Sequence, residues 1–218
     1  MTLITNRMAI TLLTCAIFAS GCSRPGVAGD GEIKTEDRPV SDFSKIAVLG
    51  GYKVKWSCGK PALSISTDQN LLPLIKTVVS GNTLRIDSKD TLNPTKSIVI
   101  TVSSSSLKEV NLTGGNSFKA SQLSGDELDL ESAGAAEITV DGSVRKLEAD
   151  LKGASKLNAK SLQTQFANLS LLGASDADVT VSDTLKVSIL GAGSLTYAGN
   201  PKSVDKTIAG AGSVRSRP

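Results

Sequence analysis

The chain has 218 residues, a formal net charge of +3, no histidine, and aromatic residues at only 3%. The missing histidine excludes His-dependent triads, most zinc sites and the commonest general base, and the mild charge argues against a nucleic-acid partner. Three cysteines, with Cys15 and Cys22 both near the N-terminus, exclude a disulfide framework.

In chain order, the first segment reads as targeting. Arg7 supplies a positive start, and "MAITLLTCAIFA" (8–19) is an apolar run too short to span a bilayer comfortably. Ala19, Ser20 and Gly21 then precede Cys22, which resembles the lipobox of bacterial lipoproteins, with Ala19 where Leu is usual. That resemblance implies removal of residues 1–21, acylation of Cys22 and a membrane partner reached through the lipid anchor. Ser23, rather than Asp, after the cysteine is similar to lipoproteins sorted to the outer membrane. The alternative is an ordinary secretory signal cut nearby, with Cys22 a coincidence. Residues 22–40, rich in Gly, Pro and charge without apolar periodicity, are expected to be a flexible tether.

A single head domain is expected over 41–218, long enough for a sizeable core. Its first part, 41–107, alternates around Gly50 in "FSKIAVLGGYKVKWSCGKPALSIST", and "IKTVVSGNTLRIDS" gives two strands about a Ser-Gly-Asn turn. These predict irregular initial coils, with a protruding hairpin, that cover the N-terminal end of a stack. Cys58, in the strand-like "YKVKWSC", is expected to be a small buried residue rather than a reactive thiol.

From 108 to 218 one pattern recurs: "GGNSF" at 114, "GAAEI" at 134, "GASKL" at 153, "GASDA" at 173, "GAGSL" at 191 and "GAGSV" at 210, with a more distant "GGYKV" at Gly50. Apolar residues alternate on both sides of each glycine, as in Val110 and Leu112 before Gly114 and Phe118 and Ala120 after it. Each repeat of about 19 residues is therefore strand, glycine corner, strand and turn, too short to hold a helix as well. The predicted fold is all-β, a right-handed parallel β-helix (solenoid), with Gly50, Gly114, Gly134, Gly153, Gly173, Gly191 and Gly210 as structural corners. A leucine-rich repeat lacks support, since its Asn ladder is missing, and an antiparallel sandwich would not demand a shared corner motif. At the far end "VRSRP" is expected to blunt the open edge.

The motif "DFSKIAVLGGYKVKW…LSISTDQNLLPLIKTVVSGNTLRID", followed by Gly-Ala-Ser repeats, resembles the bacterial auto-transporter adhesin head domains, the head GIN family, over roughly residues 42 to 216. The resemblance implies a secreted or lipid-anchored β-helix of the bacterial envelope and supplies no catalytic residues.

"GAGS" has no P-loop lysine and no following helix, so phosphate binding is set aside in favour of structural repetition. Three residues after the glycines, Ser117, Glu137, Lys156 and Asp176 alternate in sign and need no function. Five residues before them stand Glu109, Asp129, Glu148, Asn168, Lys186 and Asp205; three before them, Asn111, Glu131, Asp150, Ser170 and Ser188. In register, Glu109, Asp129, Glu131, Glu148 and Asp150 would form an unneutralised strip, either a Ca²⁺-type cation or ligand site or a solvated acidic face. The expected function is a non-catalytic binding, adhesion or scaffolding module at the outer membrane, without a cofactor, meeting an envelope glycan or protein. The alternative is a polysaccharide-processing enzyme, for which paired carboxylates would serve, although the alternation turns most aromatic residues inward.

Overall fold

A strand with one apolar face needs a neighbour to cover it, and in a repeat of about 19 residues that neighbour is the next coil. The computed structural model describes residues 26–217. They form a β-solenoid of about five turns, stacked in parallel about 20 residues apart. The signal segment and Cys22 lie outside the described residues.

The N-terminal stretch is not a free tether. β1 (Val27–Ala28) and β2 (Ile33–Arg38) are both paired, and β2 runs antiparallel to β5 (Ala62–Asp68) across six residue pairs. The lack of apolar periodicity misleads here, because an edge strand is held by its backbone and by a few polar anchors rather than by a buried face. Arg38 donates to the carbonyls of Ile75 (2.6 Å) and Leu72 (2.8 Å). Asp68, wholly buried, accepts from the amides of Gly31 and Thr95 (both 2.9 Å) and from the Thr95 hydroxyl (2.6 Å).

Next come β3 (Lys45–Gly50), β4 (Lys53–Cys58), β5 (Ala62–Asp68), a 3-10 turn (Gln69–Leu74), β6 (Ile75–Ser80), β7 (Thr83–Ser88), β8 (Leu92–Asn93) and β9 (Val99–Ser104). β7 lies parallel on β3 and β9 parallel on β4, adding a layer outside the first coil. Antiparallel strands then close that layer, β6 on β7 and β5 on β9. The expected hairpin therefore does not protrude but forms part of the cap, which covers a sheet edge that would otherwise template further pairing. Cys58 is exposed, contrary to the alternation through Val54 and Trp56, because β4 ends there and its thiol turns to the Ser105 carbonyl at 3.6 Å.

The regular coils are β10 (Glu109–Gly114), β11 (Ser117–Gly134), β12 (Glu137–Gly153), β13 (Lys156–Gly173), β14 (Asp176–Gly191), β15 (Ser194–Ala198), β16 (Ser203–Gly210) and β17 (Ser213–Ser216). β10 sits between β3 and β11; β11 to β14 stack in order; β15 and β16 pair with β14, and β17 with β15. Paired positions place Ile46, Val110, Leu130, Ala149, Leu169 and Val187 in one column, none more than 4% exposed. Each large member contributes about 1.5–3 kcal/mol of burial. Stacked identical positions make these columns the core.

The seven corner glycines all have φ between +101° and +140° and lie in one stack. At Gly153 an added Cβ would lie 2.4 Å from the Gly134 carbonyl oxygen. That oxygen accepts the Ala154 amide at 2.9 Å, so the coil-to-coil ladder runs through the corner and leaves no room for a side chain. A second corner has a weaker signature: Gln122 (φ 59°), Gly142 (φ 125°) and Gly199 (φ 84°), at positions too irregular to show as a repeat.

Candidate functional site

Period-two alternation that fills the interior sends the intervening side chains out as straight columns, about 4.8 Å per step. On β10, β11 and β12 the register pairs Glu109 with Asp129 and Asp129 with Glu148, and Asn111 with Glu131 and Glu131 with Asp150. The five carboxylates predicted to share one strip are thus brought together on three adjacent strands. Two of the five, Glu109 and Glu148, are neutralised, while Asp129, Glu131 and Asp150 make no ion pair among the described residues. Lys45, one strand before Glu109, meets its carboxylate at 2.5 Å, and Asn111 donates to the same group at 2.9 Å. Lys146 bridges Glu127 (2.8 Å) and Glu148 (2.7 Å). The sequence columns counted from the glycines omit both lysines, because Lys45 belongs to the irregular coil and Lys146 stands seven residues before its corner.

The charges act on one another as the geometry requires. Burial, then Glu131, Glu148, Glu109 and Asp150, raise the pKa of Asp129 above the ordinary carboxylate value. The hydrogen bonds that Lys146 donates to Glu127 and Glu148 push its pKa up to about 12. The hydrogen bond and charge of Glu109 raise Lys45. The Lys146 hydrogen bond holds Glu127 below its usual value. Asp129 is the centre of the strip and has no ion pair within 4 Å among the described residues. Among the described residues no three Asp, Glu, Cys or His side chains converge as metal ligands; the carboxylates stand in a row, not a shell.

Past β12 the same outer face loses its acidity. The Asp129 column continues Glu148, Asn168, Lys186, Asp205, and the Lys146 column continues Phe166, Thr184, Ser203. Arg145, Lys146, Phe166, Asn168 and Lys186 border an open groove of about 520 Å³. Phe166 is 36% exposed, whereas Phe43, Tyr52, Trp56 and Phe118 are all at 3% or less. Counted back from Gly173, Phe166 stands at an odd offset and faces outward with Asn168 and Ser170; counting forward through the buried Leu162 and Thr164 would bury it, and the ladder shifts register between Thr164 and Phe166. On the opposite arm, Lys53, Ser117, Glu137, Lys156 and Asp176 stack in register, with opposite charges adjacent at Glu137, Lys156 and Asp176.

The family model described as "Putative auto-transporter adhesin, head GIN domain" matches residues 42–201. The chain belongs to the head GIN domain family. The architecture of this head GIN protein recurs in solved structures. A Bacteroides fragilis protein described as a putative adhesin is 21% identical with a TM-score of 0.71, covering 88% of this chain and all of its own. One from Parabacteroides merdae, also described as a putative adhesin, is 20% identical with a TM-score of 0.55, covering 88% and 99%. A third, from Parabacteroides distasonis and described as a putative lipid binding protein, is 23% identical with a TM-score of 0.51, covering 88% and 99%. Likeness at these identities establishes the shared fold. No curated protein matches the sequence.

Proposed function

We propose that this head GIN protein is a lipid-anchored, non-catalytic binding module of the bacterial outer membrane, used in adhesion or envelope scaffolding. The observation that carries this reading is the outer face of β10 to β14, an open surface on a rigid stack that presents charged columns in fixed register. Such a surface suits an extended partner laid across several strands, whereas a small substrate is usually enclosed by its site. Membership in a family described as adhesin heads supports the same use. Cys22 behind its apolar run would hold the domain at the membrane, and no helix among the described residues is long and apolar enough to cross one.

The test is retention of envelope polysaccharide and protein fractions by the detergent-solubilised full-length protein on a support. The reading expects selective, salt-sensitive capture, weakened when Asp129, Glu148 and Lys186 are replaced together. Capture that ignores these replacements would move the contact off this face. New reducing ends or unsaturated products in the eluate would instead establish a polysaccharide-processing enzyme.

A further inference from the structure

Beside the acidic strip the outer face carries a groove that centres on Phe166. Single exposed apolar side chains are ordinary. This one is the exposed member of the aromatic set among the described residues, and it borders a groove together with three cations and one carboxylate. The carboxylate, Glu148, is already held by Lys146 at 2.7 Å. Lys146 also bonds Glu127, on the side of its strand away from Phe166, so its ammonium is drawn off the ring. On the other side the ring's neighbour is Thr184, which is small. Neither flank closes over the ring, which stays 36% exposed.

Two further cations remain for a ligand. Lys186 makes no ion pair within 4 Å among the described residues, and Arg145 has only a loose contact of 3.8 Å with the highly exposed Asp126. Asn168, beside Ala167 and in register with Glu148 and Lys186, offers an amide that both donates and accepts. An apolar platform, flanking cations with a surplus of positive charge, and an amide together describe one chemistry. The platform suits the C–H face of a pyranose ring, the cations its carboxylate, and the amide its hydroxyls. The groove is open to solvent, so neighbouring sugar units can continue out of it.

We infer that Phe166, Arg145, Lys186 and Asn168 form a subsite for a carboxylated sugar unit, of the uronic-acid class, within an extended anionic polysaccharide. This rests on the binding-module reading above and narrows its ligand. Asp129 and Glu131, on β11 beyond the groove, repel the same polyanion and keep it on the Arg145–Lys186 side of the face, which fixes its placement as well as its affinity.

The test is calorimetric titration of the detergent-solubilised full-length protein with oligogalacturonates and alginate oligomers, their methyl esters, and poly-L-glutamate. The uronate oligomers should bind, with affinity that falls as salt rises; the methyl esters and poly-L-glutamate should bind at least about tenfold more weakly. Phe166→Ala should cost about tenfold while leaving the melting temperature unchanged, since the side chain faces outward, and Phe166→Tyr should restore binding. Lys186→Gln and Arg145→Gln should each weaken binding and flatten its salt dependence. No uronate binding, equal binding of poly-L-glutamate, or indifference to Phe166→Ala would overturn the inference. Envelope capture without uronate binding would sink this subsite and leave the binding-module reading standing; uronate binding without envelope capture would do the reverse.

Discussion

Gly153 and Gly210 occupy equivalent corners, with φ of +101° and +120° and a notional Cβ 2.4 Å from the preceding glycine's carbonyl oxygen in both. Their surroundings differ: Gly153 has coils on both sides, while Gly210 ends β16, whose eight residues are all exposed. Gly153→Val should therefore cost at least ~2 kcal/mol and Gly210→Val less than about 1, because strain is relieved where a stack can fray. Thermal unfolding of the two variants checks this; equal melting temperatures would show that the corners are not constrained. At Asp129 the burden is burial first, then the carboxylates around it. A carboxyl whose pKa is raised on folding makes the native state bind more protons than the unfolded one. Stability from this group then falls as pH rises from the unfolded value through the folded one. Asp129→Asn should stabilise the protein by up to about 1 kcal/mol at neutral pH, and the gain should fade as the pH drops toward the ordinary carboxylate value near 4. Melting curves across that range measure it, and a gain that persists unchanged in acid would assign the effect to packing. With the strip built as a row bracketed by Lys45 and Lys146, millimolar Ca²⁺ should leave the melting temperature of the wild type where it was.

At the scale of elements, the N-terminal cap is where a polar segment becomes structure. β2 covers the edge of β5, and its position depends on Arg38 reaching two carbonyls and on Asp68 holding Gly31 and Thr95. Hydrogen bonds from Thr95 come first among the causes that lower the Asp68 pKa. The sign is opposite to that of Asp129: the contribution of Asp68 is present above the unfolded carboxylate value and is lost as pH falls through the lower folded one. Asp68→Asn should release the cap at neutral pH, lowering the melting temperature by several degrees and exposing the Leu63–Asp68 amides to hydrogen exchange. In the wild type, limited proteolysis should spare residues 26–38, and rapid cleavage there would return the segment to the role of tether. Nothing in the composition of 22–40 announces this, because its partners lie far downstream and most are backbone groups, which carry no sequence signature.

For the whole molecule, both ends of the stack carry devices against further pairing. The N-terminal end is closed by antiparallel strands. At the other, Lys206 takes the place in the inward column held by Val187 one coil earlier, and Arg217 ties the last strand to Asp178 at 2.7 Å. A rigid, edge-protected rod fits a protein held by one end. Cys22→Ser should move the protein from the membrane to the soluble fraction, read by fractionation and mass spectrometry of the N-terminus; a wild-type protein that is soluble and begins elsewhere than residue 22 would end the lipoprotein reading. The sequence by itself determined the solenoid, because a 19-residue repeat must reuse one corner geometry and one apolar alternation in every coil, and both are written locally: the glycines at 114, 134, 153, 173, 191 and 210 and the columns beside them fall into register as spaced. Only the tertiary structure decided what those columns meet. It showed that Lys45 and Lys146 close onto carboxylates of the acidic strip, that Phe166 borders a groove, that Cys58 is exposed at a strand end and that 27–38 joins the cap. The repeat offsets say which way these side chains point but not what they touch, and the cap rests on contacts far apart in the chain, where periodicity carries no information and packing sets the outcome.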